Sequence, residues 1–103
     1  FQDTTAFLDA AGYCIFIAFP ILDIESGFEG MYGAVNGMLG TEYKAEDVTK
    51  IGDEILRTER DFNMRAGLGK EADRMPEFMK YEKLPPHNQV WDVTDEELDA
   101  FWD

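Results

Sequence analysis

The amino-acid sequence predicts an all-α fold, a small bundle-like domain of about four helices with a long C-terminal loop segment. Apolar residues recur with the period of an α-helix in two stretches, at 28–39 and 48–62. Two capping-box spacings, each with a hydroxyl residue three positions before a glutamate, mark helix starts at Ser26 and Thr94. Because no internal repeat or composition break divides the 103 residues, we predict a single domain over 1–103.

The first predicted helix runs from Asp3 to Ala11 and ends at Gly12, the residue type preferred just past a helix C-terminus. Residues 13–24 then form an apolar run that is either a second buried helix or an extended segment, because periodicity alone does not assign short apolar runs. Pro20 predicts an interruption within this run. Its apolar part, from Tyr13 to Leu22, is about half the roughly 20 residues that a membrane-spanning helix needs, so we interpret it as buried protein interior.

The third predicted helix begins at the Ser26 capping box and continues to Gly40. Its apolar residues repeat every three or four positions and therefore share one face of the helix, which is expected to pack on a core. The members of this face are Phe28, Met31, Tyr32, Val35, Met38 and Leu39.

The longest helix is predicted from about Ala45 to Ala66, with Gly67 beyond its end. Acidic residues fall in its first turn, where the helix dipole favours them. Its apolar stripe consists of Val48, Ile51, Ile55 and Phe62. On the charged face, three acids stand four positions before a base, and each pair contributes roughly 0.2–0.5 kcal/mol. These pairs are Glu46 with Lys50, Asp53 with Arg57, and Asp61 with Arg65.

Residues 67–93 are predicted to form a loop, because they contain glycine and proline without a sustained period. One turn of helix is expected within them, at about 77–81. His87 is interpreted as an exposed loop residue without a role. A last helix is predicted after the Thr94 capping box.

The balance of charge argues against two classes of partner. The sequence has 22 acidic and 9 basic residues, a net charge of -13, and no basic cluster that would attract nucleic acid or an anionic membrane. A single cysteine cannot form an internal disulfide, and no basic and apolar leader opens the sequence. A reducing, cytoplasmic setting is therefore predicted.

No common catalytic constellation is complete in the sequence, which has one histidine, one cysteine, no serine elbow, no phosphate-binding glycine loop and no C-x-x-C pair. We therefore do not expect these residues to catalyse a reaction alone. By pattern, Cys14 fits a small buried hydrophobe. Asp9, beside a predicted helix end, fits either a solvated carboxylate or an acceptor of hydrogen bonds from a ligand.

The hexapeptide Asp9-Ala10-Ala11-Gly12-Tyr13-Cys14 resembles the second D-x-x-G-L-C/D pterin motif of the tungsten-dependent aldehyde ferredoxin oxidoreductase family. The resemblance extends to about Phe78, and more loosely over 95–102, and it departs at Tyr13, where the family has leucine. The larger phenol of Tyr13 therefore needs space or a polar partner. Further matches, in order, are Val35-Asn36-Gly37, Gly40, Gly52, Glu54-Ile55, Thr58-Glu59-Arg60, Phe62-Asn63, Arg65, Gly67, Asp73 and Met75-Pro76.

The resemblance implies roles for three residues. Asp9 would accept hydrogen bonds from nitrogen donors of a pterin, and Tyr13 would contact that pterin through its backbone. Cys14 would supply one thiolate to a four-iron four-sulfur (4Fe-4S) cluster whose other thiolates lie elsewhere. Glu59, by contrast, is spaced on adjoining helical turns with Phe62, as in structural packing, so a scaffold role is favoured for it.

In that family the whole enzyme oxidises aldehydes to carboxylic acids at tungsten, or in some members molybdenum, held by two pterins. Electrons then pass through the iron-sulfur cluster to ferredoxin. We interpret the chain as part of the C-terminal region of such an enzyme, with the remainder of the enzyme as its partner. A lone cysteine does not meet a cluster's need for four ligands, so neither cluster nor metallopterin is expected on the chain alone.

Two further hypotheses concern association. The apolar face that meets the rest of the enzyme would be uncovered in the isolated chain, which suggests a dimer through that face. The alternative to the enzyme interpretation is a free-standing acidic helical interaction module without metal, whose long charged helix meets a basic partner. In that alternative Asp9 and Cys14 are ordinary structural residues.

Overall fold

A computed structural model provides the structure of the chain and describes residues 1–102. This described part contains six α-helices, two 3-10 turns and one isolated β-bridge, but no strand, so the all-α prediction is confirmed. None of the helices within it combines the length and the apolar character that a bilayer span requires. The helices are α1 (Gln2–Ala10), α2 (Ala18–Asp23), α3 (Glu25–Leu39), α4 (Ala45–Arg65), α5 (Glu77–Tyr81) and α6 (Asp95–Ala100).

The chain folds as two compact units, Phe1–Arg60 and Asp61–Asp103. The first unit contains α1, α2, α3 and most of α4, and the second contains α5 and α6. The single domain over 1–103 stays a prediction.

The core of the first unit is assembled from one or two side chains of each helix. Leu8 of α1 and Val48 of α4 are fully buried, and the aromatic residues Phe28 and Tyr32 of α3 pack on the cluster with their rings 5.7 Å apart, edge to face. The apolar face predicted for α3 is therefore confirmed in its central turns. Its last members, Met38 and Leu39, are exposed.

A glycine sets the distance between α1 and α4. Gly52 is buried in α4, and a Cβ atom placed on it would overlap the backbone carbonyl of Asp3. The absence of a side chain at this position therefore allows the two helix backbones to approach closely. Farther along the two helices, Asp9 of α1 and Glu59 of α4 line one groove.

The interpretation of the apolar run at 13–24 as buried interior is wrong for most of its side chains. It forms a 3-10 turn, Ile15–Ile17, that leads directly into α2. Only Ala18 and Ile21 of α2 are buried, because a helix of six residues turns a single edge toward the core. Phe16 and Phe19 are 78% and 69% exposed.

Proline does not break this segment. Pro20 is the third residue of α2, in the first turn, where a backbone N–H has no acceptor within the helix. The helix therefore runs through Pro20, and the predicted interruption at that residue is wrong.

The start of α3 also differs from its prediction. The helix begins at Glu25, and its N-cap is Ile24, which makes no side-chain cap hydrogen bond. The Ile24 carbonyl accepts hydrogen bonds from the N–H groups of Gly27 (2.8 Å) and Phe28 (3.1 Å). The capping box at Ser26 is wrong, because the helix follows α2 after a short link and its N-cap lies two residues earlier, which places Ser26 inside the first turn.

The charged face of α4 follows the predicted pattern. The carboxylate of Asp53 lies 2.9 Å from Arg57, that of Asp61 lies 2.8 Å from Arg65, and the Glu46–Lys50 pair is looser at 3.9 Å. All of these side chains are largely solvent-exposed, so each pair is a small local contribution. The helix ends at Arg65. As predicted, Gly67 lies just beyond its end, where its φ of 92° is in the left-handed region.

Two sets of contacts stabilise the second unit: a capping box at the start of α6 and a pair of hydrogen bonds from Arg74. Thr94 and Glu97 form the predicted capping box of α6, with the Glu97 N–H donating to the Thr94 hydroxyl at 3.2 Å. The guanidinium of Arg74 donates to both carboxylate oxygens of Asp99, at 3.1 and 3.2 Å, and this contact raises the pKa of Arg74. The helical turn α5 is confirmed at its predicted position, and His87 is exposed as expected.

Candidate functional site

The end of α1 is a tight turn stabilised by two backbone hydrogen bonds. The N–H of Tyr13 donates to the carbonyl of Leu8, and the N–H of Gly12 donates to the carbonyl of Asp9, both at 3.0 Å. This pair of bonds is the Schellman motif, which requires a left-handed residue just past the helix, and Gly12 has a φ of 79°. The D-x-x-G spacing therefore has a physical cause, because it places glycine at the left-handed position and Asp9 in the last turn.

Tyr13 anchors the turn to the core of the first unit. Its ring is half-buried and packs against the core cluster, and its hydroxyl donates a hydrogen bond of 3.0 Å to the carbonyl of Met31. The requirement raised by the sequence, space and a polar partner for the phenol, is thus met by the backbone of α3. The turn is fixed at both ends, by α1 and by this tyrosine.

Cys14 emerges from the turn with its side chain exposed. Its backbone is extended, with φ of -70° and ψ of 135°, and its carbonyl accepts a hydrogen bond from Ile17 at 3.0 Å. The interpretation of Cys14 as a small buried hydrophobe is therefore wrong. The exposed thiol can therefore bind a ligand or another polypeptide segment.

Asp9 is exposed and lines a groove of about 500 Å³ between α1 and α4. Glu59 of α4 lines the same groove and brings a second carboxylate to it. The remaining lining residues are Gln2, Thr5, Ala6, Ala10, Ile55 and Leu56. The groove thus combines an apolar floor with acceptor groups, which suits a flat ring that presents hydrogen-bond donors.

The three residues singled out from the sequence therefore lie within one turn of chain, in which Asp9 and Cys14 are exposed and Tyr13 is the anchor. No group of three histidine, cysteine, aspartate or glutamate side chains within residues 1–102 is arranged to hold a metal ion. Cys14 can therefore contribute one ligand to a metal centre but cannot complete one. Glu59 lines the same groove as Asp9 because α4 contacts α1. No local sequence pattern predicts this contact.

The pKa of one carboxyl group at the start of α4 is shifted, and the shift has a structural cause. The N–H of Lys44 donates to the Asp47 carboxylate at 2.9 Å, and this hydrogen bond, helped by Lys50, lowers the pKa of Asp47 below its ordinary value of 3.8. The contact satisfies a backbone donor at the helix N-terminus. We therefore assign Asp47 to the stability of α4 and not to chemistry.

A second groove, of about 450 Å³, lies within the second unit. Most of its lining side chains are apolar, and they come from α5 and from the chain on either side of it. Its lining residues are Met75, Phe78, Met79, Glu82, Leu84, Gln89, Val90 and Trp91. It offers no nucleophile and no metal-ligating group beyond Glu82, so its chemistry is limited to apolar contact.

Comparison with known proteins gives one family for the whole sequence. The family model described as aldehyde ferredoxin oxidoreductase, domains 2 and 3, matches residues 1–103. No solved structure matches the chain.

Curated relatives give the same result. The chain is 38% identical over 86 residues to the tungsten-containing aldehyde ferredoxin oxidoreductase of Pyrococcus abyssi, a match that covers 82% of the chain. It is 37% identical over the same length to the enzymes of that name from Thermococcus kodakarensis and Pyrococcus furiosus. The chain spans only about 13% of the length of these relatives.

Proposed function

We propose a function from the premise that the chain belongs to the aldehyde ferredoxin oxidoreductase family, whose domains 2 and 3 it matches over all 103 residues. It is a cofactor-contacting part of an enzyme that oxidises aldehydes to carboxylic acids and passes the electrons to ferredoxin. The turn at 9–14 carries the proposal, because it presents an exposed carboxylate and an exposed thiol from one rigid backbone. Neither side chain is required by the fold.

Asp9 binds the pterin in this proposal. An ionised carboxylate is an acceptor with no donor of its own, so it selects a partner that presents N–H groups. The backbone carbonyl of Asp9 is already used by Gly12, which fixes the turn while the side chain remains exposed. A charge-assisted hydrogen bond to a pterin nitrogen donor is the contact that this arrangement favours.

Tyr13 holds the backbone beside the pterin. Its N–H is committed to Leu8 and its hydroxyl to Met31, so the backbone carbonyl is the group through which Tyr13 would contact the ring. A leucine at this position would keep the backbone hydrogen bond to Leu8 but would lack the side-chain hydrogen bond to Met31, so the phenol adds one restraint on the turn. The phenol in place of leucine is therefore compatible with the proposed site.

Cys14 supplies one thiolate to a 4Fe-4S cluster. Such a cluster takes four thiolates, and the sequence contains one cysteine, so the remaining three come from outside these residues. When bound, the tungsten or molybdenum bis-pterin would supply the oxidation chemistry and the cluster the electron transfer. A reducing, cytoplasmic setting is part of the proposal, because it keeps an exposed lone thiol available as a ligand.

The experiment compares three variants of the complete enzyme that contains this chain. Cys14→Ser removes the thiolate, and we expect iron per polypeptide and the cluster's visible absorption to fall. Asp9→Asn replaces an acceptor-only group, and we expect retention of tungsten or molybdenum to fall more than that of iron. Glu42→Gln, at an exposed carboxylate of the first unit away from the turn, is the matched control and is expected to retain both.

The isolated chain is expected to bind no iron and to show no aldehyde oxidation, because its ligand set is incomplete. If Cys14→Ser and Asp9→Asn both retain full iron and full tungsten or molybdenum, the proposal fails. The free-standing acidic interaction module is then the better description of the chain.

A further inference from the structure

An apolar surface begins immediately after Cys14. It is formed by the 3-10 turn and by the solvent side of α2, and we call it the post-cysteine face. Phe16 and Phe19 are its most exposed members, at 78% and 69%. The complete face consists of Ile15, Phe16, Ile17, Phe19, Leu22 and Ile24.

This face is a fixed surface of the folded unit. The opposite edge of α2 carries Ala18 and Ile21, which are buried in the core, so the helix is held in place while its other side is exposed. The exposed side of α4, by contrast, carries ion pairs. Six exposed apolar residues within ten consecutive positions are more than the single apolar residues scattered over an ordinary surface, and such a concentration is typical of a docking site.

We infer that the post-cysteine face is the docking surface for the segment of the complete enzyme that carries the other cluster thiolates, an inference that rests on the proposed function. Cys14 is the sequence's single cysteine, so three further thiolates must be brought to it. A segment that delivers them must cover the residues around Cys14, and those that follow it are apolar. The relatives are long enough to provide it, because the chain spans about 13% of their length.

The chemistry of the occupant follows from the face. Phe16 and Phe19 present rings without polar atoms, so the docked segment contributes apolar side chains at the surface and cysteines at its edge beside Cys14. Its packing excludes water from the Cys14 sulfur. Solvent exposure is one of the properties that set the potential of an iron-sulfur cluster, so the same contact affects electron transfer.

The test uses a double variant, Phe16→Asp with Phe19→Asp. Both side chains are largely exposed, so the isolated variant chain is expected to keep its helical circular dichroism and to melt within about 4 °C of the unmodified chain. In the complete enzyme the same variant is expected to lose most of its iron, because a charged face cannot be buried against an apolar segment. The conservative pair Phe16→Leu with Phe19→Leu is expected to retain the iron.

Thr49→Asp with Thr58→Asp, at two exposed positions on α4, is the charge-matched control and is expected to retain full iron. Full iron in the double aspartate variant overturns the docking inference. If Cys14→Ser loses the cluster in the same experiment, the proposed function still stands; if Cys14→Ser also retains it, both fail together. If the double aspartate variant of the complete enzyme keeps full iron but loses a self-association that the unmodified enzyme shows in sedimentation, the face belongs to a second copy and the inference is overturned.

Discussion

The substitution Gly52→Ala tests the close approach of α1 to α4. The added methyl group would overlap the carbonyl of Asp3, a backbone atom that cannot move without the helix that carries it. Overpacking a well-packed site costs about 1–3 kcal/mol, and the upper half applies where backbone must move. Alanine gains about 1 kcal/mol over glycine in a helix interior, so we expect a net loss of about 1–2 kcal/mol.

Thermal unfolding followed by far-UV circular dichroism measures this loss. For a chain of about this size, each 1 kcal/mol lowers the melting temperature by about 4–8 °C, so Gly52→Ala is expected to lower it by about 4–16 °C. Gly33→Ala is the matched control, because Gly33 lies in the interior of α3 with no atom within 4 Å of an added Cβ. It is expected to raise the melting temperature. If both variants melt above the unmodified chain, the helices are not held at this distance by Gly52.

Three further predictions concern the turn and the start of α4. Gly12→Ala places a Cβ at a left-handed φ and is expected to cost about 1–2 kcal/mol in chemical denaturation. Tyr13→Phe removes the hydroxyl that donates to Met31 and is expected to cost about 0.5–1.5 kcal/mol in the same assay, whereas no loss would mean that packing alone anchors the turn. The pKa of Asp47 is lowered in the folded chain, so its stabilising contribution is present above the ordinary value of 3.8 and is lost as the pH falls through the folded-state pKa. Asp47→Asn is therefore expected to melt lower than the unmodified chain at neutral pH, and the difference should close below about pH 4 in melting curves recorded across pH.

Local signals in the sequence predicted local structure well. The ends of α1, α3 and α4 follow from glycines whose left-handed conformation terminates a helix, and the charged pairs of α4 follow from a spacing of four. The Thr94 capping box is equally local, because both of its hydrogen bonds lie within four residues. Each of these features depends on atoms that are close in the chain, so no knowledge of the tertiary structure is needed.

The features that the sequence did not predict depend on more than the local spacing of residue types. The Ser26 capping box has the right spacing, but the link from α2 moves the start of α3 to Glu25. The run after Cys14 was interpreted as interior because apolar residues are usually covered, and in this structure most of them are exposed. Glu59 lines the same groove as Asp9 because α4 approaches α1, a contact between helices that are distant in the chain.

The negative charge at the C-terminal end of α1 determines which groups of the proposed cofactor can bind there. The C-terminal end of a helix carries the negative end of its dipole, and Asp9 adds a formal negative charge at the same place. Glu59 adds another along the groove, and the whole chain is strongly acidic. This end of α1 therefore attracts N–H donors and repels anions, so the donor edge of a pterin can bind here, whereas any anionic part of the same molecule must bind elsewhere. The remainder of the enzyme would then have to supply the basic residues for that anionic part, as well as the three thiolates that complete the cluster.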